Sequence, residues 1–352
     1  VHGCDDSYND EVGTVLLTPI ESGSSSNVPT PIPEELPDYL QVIIPKSVET
    51  IGTNAFEYVA KVTFEEGSVI NYIGDFAFEN LKYPVALSST LTHIGAGAFN
   101  LNVDITLVEG GVFSLDSEGN LTTDEGKTLV AYYGNAETYT FSKEIDHVMG
   151  YAFYKNGSIK TVQIPKGIEW EMFPFAKTTA LESVSFEEGF TEVPAYLFGL
   201  SSRKNLTIPD SVQYIGEKAF SGTNLTEVEF QKDSRISEIG LYAFAYNLAL
   251  THVKFNSSAE GYSCVIDEGA FFWCNALNFV EVNDDFIITS IGTGAFAKFG
   301  KNATVDAVSF GNQIGKIVIP KEVEYISNGA FGCLTEGNSP SQVEPGAHTM
   351  TT

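Results

Sequence analysis

Apolar positions along this chain recur in a fixed phrase: an aliphatic residue, usually Gly, two variable residues, then Ala-Phe. The phrase stands at 51–56, 73–78, 94–99, 215–220, 239–244 and 291–296, with near copies ending at Phe271 and Phe331. Degenerate copies end at Phe153, Phe175 and Phe198. The closing Phe residues lie 21 to 27 positions apart, apart from two longer intervals of 54 and 35. About twelve residues before each Phe runs an alternating apolar pair, as in VTF at 62–64, VSF at 184–186, VEF at 228–230 and VKF at 253–255. Such alternation predicts a short strand with one buried face. Pro45, Pro165, Pro209 and Pro320 follow these pairs or their equivalents and end the strand, because Pro has no N–H for a ladder.

A unit this short has no room to bury its own apolar face, so successive units must stack. One strand per turn gives a parallel sheet rising about 4.8 Å per repeat, and about eleven turns make a coil about 50 Å long. The Ala is small where adjacent turns approach, and each Phe stacks on its counterpart in an internal aromatic spine. Leu197 replaces that Ala in one degenerate copy, which predicts local widening there.

The phrase resembles the repeat of the BspA-like (treponemal class) leucine-rich-repeat proteins, whose units end in the same Ala-Phe pair. The resemblance covers roughly residues 39 to 333. It implies a leucine-rich-repeat solenoid with the parallel sheet on its concave face, and short turns, strands and helical turns on the other. It also implies a surface-exposed or secreted protein linked with adhesion. The Asn/Cys ladder of other leucine-rich repeats is patchy in this sequence. Cys274 and Cys333 fall where the family carries a buried Cys, and they are expected as free core thiols. A Cys264–Cys274 bridge stays open.

Three regions follow: a tether at 1–38, the repeat domain at 39–333 with an insertion near 108–141, and a polar tail at 334–352. The segment at 21–37 is Ser/Pro-rich and reads as an extended linker. Ahead of it, Val1-His2-Gly3-Cys4 with the following acidic residues resembles the end of a lipobox. This makes Cys4 a candidate lipidation site of a Bacteroidetes-type outer-membrane lipoprotein; the alternative is a secreted chain with a polar leading tail.

A net charge of −27 disfavours nucleic acid and anionic membrane as partners, leaving a lipid anchor as the expected route to a membrane. Neither a G-x-S-x-G elbow, a phosphate loop nor an H-E-x-x-H pair occurs, and the Cys and His spacings do not form a zinc site. No catalytic residue, cofactor or metal is therefore expected. D-S-E-G-N at 116–120 is similar to a calcium loop but lacks Gly at its sixth position and Glu at its twelfth. His93 and His147 stand beside the repeat aliphatic as solvent-facing variation. Six N-x-S/T sequons begin at Asn120, Asn156, Asn205, Asn224, Asn256 and Asn302 and are incidental to a repeat rich in Asn and Thr.

Two binding surfaces are predicted. In the long interval, the stretches at 113–115, 121–123 and 128–133 read as strands joined by turns, and Tyr132, Tyr133 and Tyr139 form a candidate contact ridge. On the sheet, the residues flanking the buried positions face outward. Glu227, Glu229, His252, Lys254, Phe279 and Glu281 make the candidate site there, with Phe279 as an exposed anchor. The expected function is non-enzymatic binding of an extracellular protein or glycan. The alternatives are a structural spacer and, less favoured, a glycan-handling accessory protein.

Overall fold

The computed structural model describes residues 14–15, 40–202, 205–299, 309–310 and 317–334. Cys4, the linker at 21–37, the sequon at Asn302 and the tail beyond Leu334 lie outside the described residues. The fold is a parallel β-solenoid of about eleven turns with almost no helix. Among the described residues the helical content is one short 3-10 turn, Asp124–Gly126. The chain divides into two compact units, one of residues 1–134 and 147–154 and another of 135–146 and 155–352.

Within the first unit, Gln41–Ile44 pairs in parallel with Lys61–Phe64, and Val85–Leu87 with Ile105–Leu107. A second column holds Thr50–Ile51, Tyr72–Ile73 and His93–Ile94. Thr14–Val15, inside the expected tether, pairs in parallel with Gln41–Val42 and so covers the open edge of that sheet. The insertion folds as read. Asn120–Thr123 pairs antiparallel with both Ser114–Leu115 and Thr128–Tyr132, and Thr128–Tyr132 continues in parallel onto His147–Val148.

In the second unit, Thr161–Ile164 pairs with Ser183–Phe186. Asn205–Ile208, Glu227–Phe230, His252–Phe255 and Phe279–Val282 form one continuous parallel ladder. The accompanying column runs Glu192–Val193, Tyr214–Ile215, Glu238–Ile239, Cys264–Ile266 and Ile288–Ile291.

The aromatic spine is present in both units. Phe56, Phe78 and Phe99 stack at 5.4 and 5.5 Å. Phe175, Phe198, Phe220, Phe244, Phe271, Phe296 and Phe331 stack at 5.0 to 5.5 Å. Each such pair is worth about 0.5–1.5 kcal/mol beyond the area it buries. The widening expected at Leu197 does not occur. Leu197 is fully buried, and Phe198 keeps ordinary distances of 5.2 Å to Phe175 and 5.5 Å to Phe220. Backbone bonds set the rise here, with Phe198 N–H donating to the Ala219 carbonyl at 2.8 Å, so one larger side chain does not spread the turns.

The residue before the Ala has positive φ in turn after turn, from Asn54 at 57° to Gly329 at 60°. At Phe76 and Tyr242 the ring lies over the equivalent glycine of the next turn. A Cβ on Gly97 would fall 2.6 Å from the Phe76 ring, and one on Gly269 would fall 2.3 Å from that of Tyr242.

A second left-handed position separates the two units. In the second, Lys155, Lys177, Leu200, Gly222, Tyr246 and Trp273, each two residues after a repeat Phe, have φ of 54° to 66°. Their N–H groups reach into the next turn, as from Leu200 to the Ser221 carbonyl and from Gly222 to the Ala245 carbonyl, both at 2.8 Å. The following residue then points inward and is polar or a thiol: Asn156, Thr178, Ser201, Thr223, Asn247 and Cys274, all buried. The ladder expected to be patchy is continuous through these six turns, with mixed residue types. In the first unit the same position holds the buried Val59 and Leu81 and the exposed Asn102, and none of Tyr58, Asn80 and Leu101 before it has positive φ.

Candidate functional site

The strands Glu227–Phe230, His252–Phe255 and Phe279–Val282 carry alternating side chains in register. Val228, Phe230, Val253, Phe255, Val280 and Val282 point inward and are buried. The alternation therefore turns two rows outward. One row runs Glu227, His252, Phe279, and the other runs Glu229, Lys254, Glu281. Glu227 and Glu229 are exposed, and the other four are half-buried.

These residues engage one another. The His252 imidazole stacks on the Phe279 ring at 5.2 Å and 20°. Its Nε2 is shut off from solvent, 3.4 Å from Glu281 Oε2 but not hydrogen-bonded. Lys254 Nζ stands 3.6 Å from Glu229 Oε1, and the Asn256 amide donates to the same oxygen at 2.9 Å. Glu227 has no ion pair or hydrogen bond among the described residues. Phe279 is thus a half-buried ring carried on its histidine neighbour rather than an exposed one.

The tyrosine ridge is overturned. Tyr132 and Tyr139 are only 2% and 3% exposed. Tyr132 packs on Phe153 at 5.8 Å, and Tyr139 meets Phe141 edge-on at 4.8 Å. Tyr133 is half-buried against the core of the first unit, and burial pushes its hydroxyl well above the usual tyrosine range. Their strands alternate against a core on more than one side, which an isolated-hairpin reading does not anticipate.

The turn at 116–120 uses its carboxylate internally. Asp116 Oδ1 accepts the N–H groups of Glu118 and Asn120 at 2.9 Å, and Oδ2 accepts the Asn120 amide at 2.8 Å. Burial pushes the Asp116 pKa up, but the hydrogen bonds from Asn120, Glu118 and Gly119 outweigh it and leave the group below its ordinary value. Among the described residues no cluster of three His, Cys, Asp or Glu side chains is gathered to hold a metal ion, and no helix is long and apolar enough to cross a membrane. Cys264 and Cys274 are both free and buried, without a bridge. Burial pushes the Cys264 thiol up, and that of Cys274 to about 12.

Sequence reasoning missed a second outward row, the residue just before the phrase's aliphatic. In the second unit it runs Glu192, Tyr214, Glu238 and Val265, with Tyr214 46% exposed. Beside it lies an open groove of about 440 Å³ whose lining includes Glu192, Tyr214, Glu217, Glu238 and Asp267. The signal was available at His93, which stacks on Tyr72 at 4.4 Å in the same row of the first unit. It was passed over as solvent-facing variation.

Turns of two strands, a Phe spine and an outward sheet face define a leucine-rich-repeat solenoid. The BspA type leucine rich repeat region matches in six copies, over residues 38–110, 123–251, 192–316 and 237–344, and the chain belongs to that family. Several solved structures are similar to this chain. The pneumococcal vaccine antigen PcpA is similar at 23% identity over 71% of this chain, with a TM-score of 0.53. This chain spans 62% of the length of that structure. A leucine-rich repeat protein from Eubacterium ventriosum is 17% identical over 83% of this chain and 76% of its own, with a TM-score of 0.47. A leucine rich cell surface protein from Faecalibacterium prausnitzii is 16% identical over 86% and 80%, with a TM-score of 0.42. No curated protein matches the sequence.

Proposed function

We propose that this chain is a non-enzymatic surface protein that binds an extracellular protein or glycan through the outward face carrying Glu227, Glu229, His252, Lys254, Phe279 and Glu281. One observation carries the reading. An aromatic ring occupies a row where strand alternation requires only a solvated side chain, and it is held in place by His252 instead of being folded inward. A rigid aromatic ringed by polar groups is the usual makeup of a contact centre. Membership of the BspA-type family supports a protein-interaction role at a cell surface or outside the cell. Adhesion and attachment through an acylated Cys4 belong to the same proposal.

The test is a glycan and extracellular-protein array probed with the wild type and with a Phe279→Ser, Glu227→Lys, Glu229→Lys variant. Loss of the wild-type hits is expected. Hits that persist unchanged remove the face from consideration, and an array without hits favours a spacer. Mass spectrometry of the protein from its native host decides acylation at Cys4, since a residue retained upstream of it excludes a lipoprotein.

A further inference from the structure

We infer that the partner of this face is a protein segment presenting a Lys or Arg side chain beside an apolar one, rather than a glycan; this rests on the binding reading above. The inference follows from which groups on the face are already satisfied. Lys254 is paired with Glu229, and Asn256 donates to the same carboxylate. His252 is committed to Phe279 on one side and faces Glu281 on the other. The remaining carboxylate, Glu227, stands next to His252 in the same row and has no partner of either kind.

With three carboxylates and one lysine the face is short of positive charge, and at Glu227 that shortfall lies beside an aromatic pair. Two strand spacings separate Glu227 from Phe279, roughly 10 Å. A polypeptide places a cationic and an apolar side chain at that distance in either extended or helical form. A neutral sugar fits less well. The Phe279 ring is already stacked on one face by the imidazole, and on the two rows three carboxylates stand against a single lysine. A cation meeting Glu227 is held by the carboxylate, while the apolar side chain beside it packs on the half-buried Phe279 ring.

The experiment selects a phage-displayed library of random peptides on the intact immobilised protein, then compares the enriched peptides on the wild type, Glu227→Gln and Phe279→Ser. Both substituted positions face outward from the sheet, and circular dichroism checks that each variant keeps the wild-type fold. The expected result is enrichment of peptides with a Lys or Arg near an apolar residue. Their affinity should drop about tenfold on Glu227→Gln and weaken as salt rises from about 0.05 to 0.5 M. Enriched peptides that bind Glu227→Gln as well as wild type, or that carry no basic residue, overturn the inference, as does a library that yields no enrichment. If Phe279→Ser weakens binding and Glu227→Gln does not, the face remains a binding site and only the cationic partner is lost. If neither variant changes binding of peptides or of array hits, both readings fall.

Discussion

Three residues after the repeat Phe, the first unit buries Val59 and Leu81, whereas the second buries Asn156, Thr178, Ser201, Thr223, Asn247 and Cys274. The difference begins one residue earlier. In the second unit a left-handed residue turns the chain so that its N–H reaches the neighbouring turn, and the next side chain is driven inward among the Phe carbonyls. Those carbonyls need donors in a dry interior. Thr178 donates to Phe175 O at 2.7 Å, Thr223 to Phe220 O at 3.2 Å, and the Asn247 amide to Phe220 O and Phe244 O, each at 2.8 Å. Thr223 also bonds the Asn247 side-chain oxygen, and the Cys274 thiol reaches Phe244 O at 3.2 Å. In the first unit the Val59 and Leu81 N–H groups reach the Phe56 and Phe78 carbonyls at 3.1 Å, as the Thr178 and Ser201 N–H groups also reach theirs in the second. At Val59 and Leu81, however, the left-handed corner and the side-chain donor are absent, and apolar side chains fill the position. Backbone hand and side-chain polarity therefore change together at these buried positions.

Exchanging the side chains is the strongest way to break this comparison. Leu81→Asn removes a fully buried leucine and inserts an amide where the local backbone offers no matching column, at a cost of about 4 kcal/mol. The reverse change, Asn247→Leu, removes one of two donors from each of the Phe220 and Phe244 carbonyls and one acceptor from Thr223, and costs about 3 kcal/mol. Urea unfolding of both variants checks this, and a Leu81→Asn protein within about 1 kcal/mol of wild type would refute the link to backbone hand.

Glycine at the preceding position should act with opposite sign in the two units. Lys177, with φ of 54°, is strained, so Lys177→Gly stabilises or is neutral, by up to about 1 kcal/mol. Asn80 has no such strain and donates to Glu57 O at 2.8 Å, so Asn80→Gly destabilises by about 1–2 kcal/mol. Shifts in melting temperature of the same sign would show that the two corners are not distinct.

A smaller effect concerns acid. In the second unit, hydrogen bonds from Tyr196 at 2.6 Å and Lys218 at 3.0 Å hold the Glu217 carboxyl below its ordinary 4.5. A depressed folded-state value contributes stability that is present above about pH 4.5 and is lost as pH falls through the folded value. Glu217→Gln should therefore flatten the dependence of the urea midpoint on pH below 4.5 and leave the midpoint at higher pH only slightly lower. The smallest change concerns the thiols. With its pKa raised to about 12 by burial, Cys274 stays protonated at neutral pH and should resist iodoacetamide until the chain is unfolded, as should Cys264. Native-state labelling of Cys274 would mean that the polar column opens locally, and labelling of Cys264 that the strand Cys264–Ile266 does.

Much of the scaffold was legible from periodicity. Val228, Phe230, Val253 and Phe255 were placed inward by alternation alone, and the Phe spine follows from identical units stacked at a constant rise. The corner was harder to read. Glycine at 97, 269, 294 and 329 hints at positive φ before the Ala, but Phe76, Tyr196 and Tyr242 occupy the same conformation and mask the signal. Tyr132 and Tyr139 were misplaced because their burial depends on the strands that close around them. At the candidate site the outward direction of Glu227, His252 and Phe279 was correct. The His252–Phe279 stack was not visible, since it joins residues 27 positions apart through the register of two strands.

What the sequence by itself determined is the repeat, the inward and outward sense of the residues in the regular repeat strands, and the stacking of the Phe column, because these depend only on local alternation and on like packing on like. Tertiary structure decided which carbonyls lack donors, which turns take a left-handed corner with a polar column, and which outward charges are already paired. Each of those depends on what the adjacent turn places within hydrogen-bonding distance.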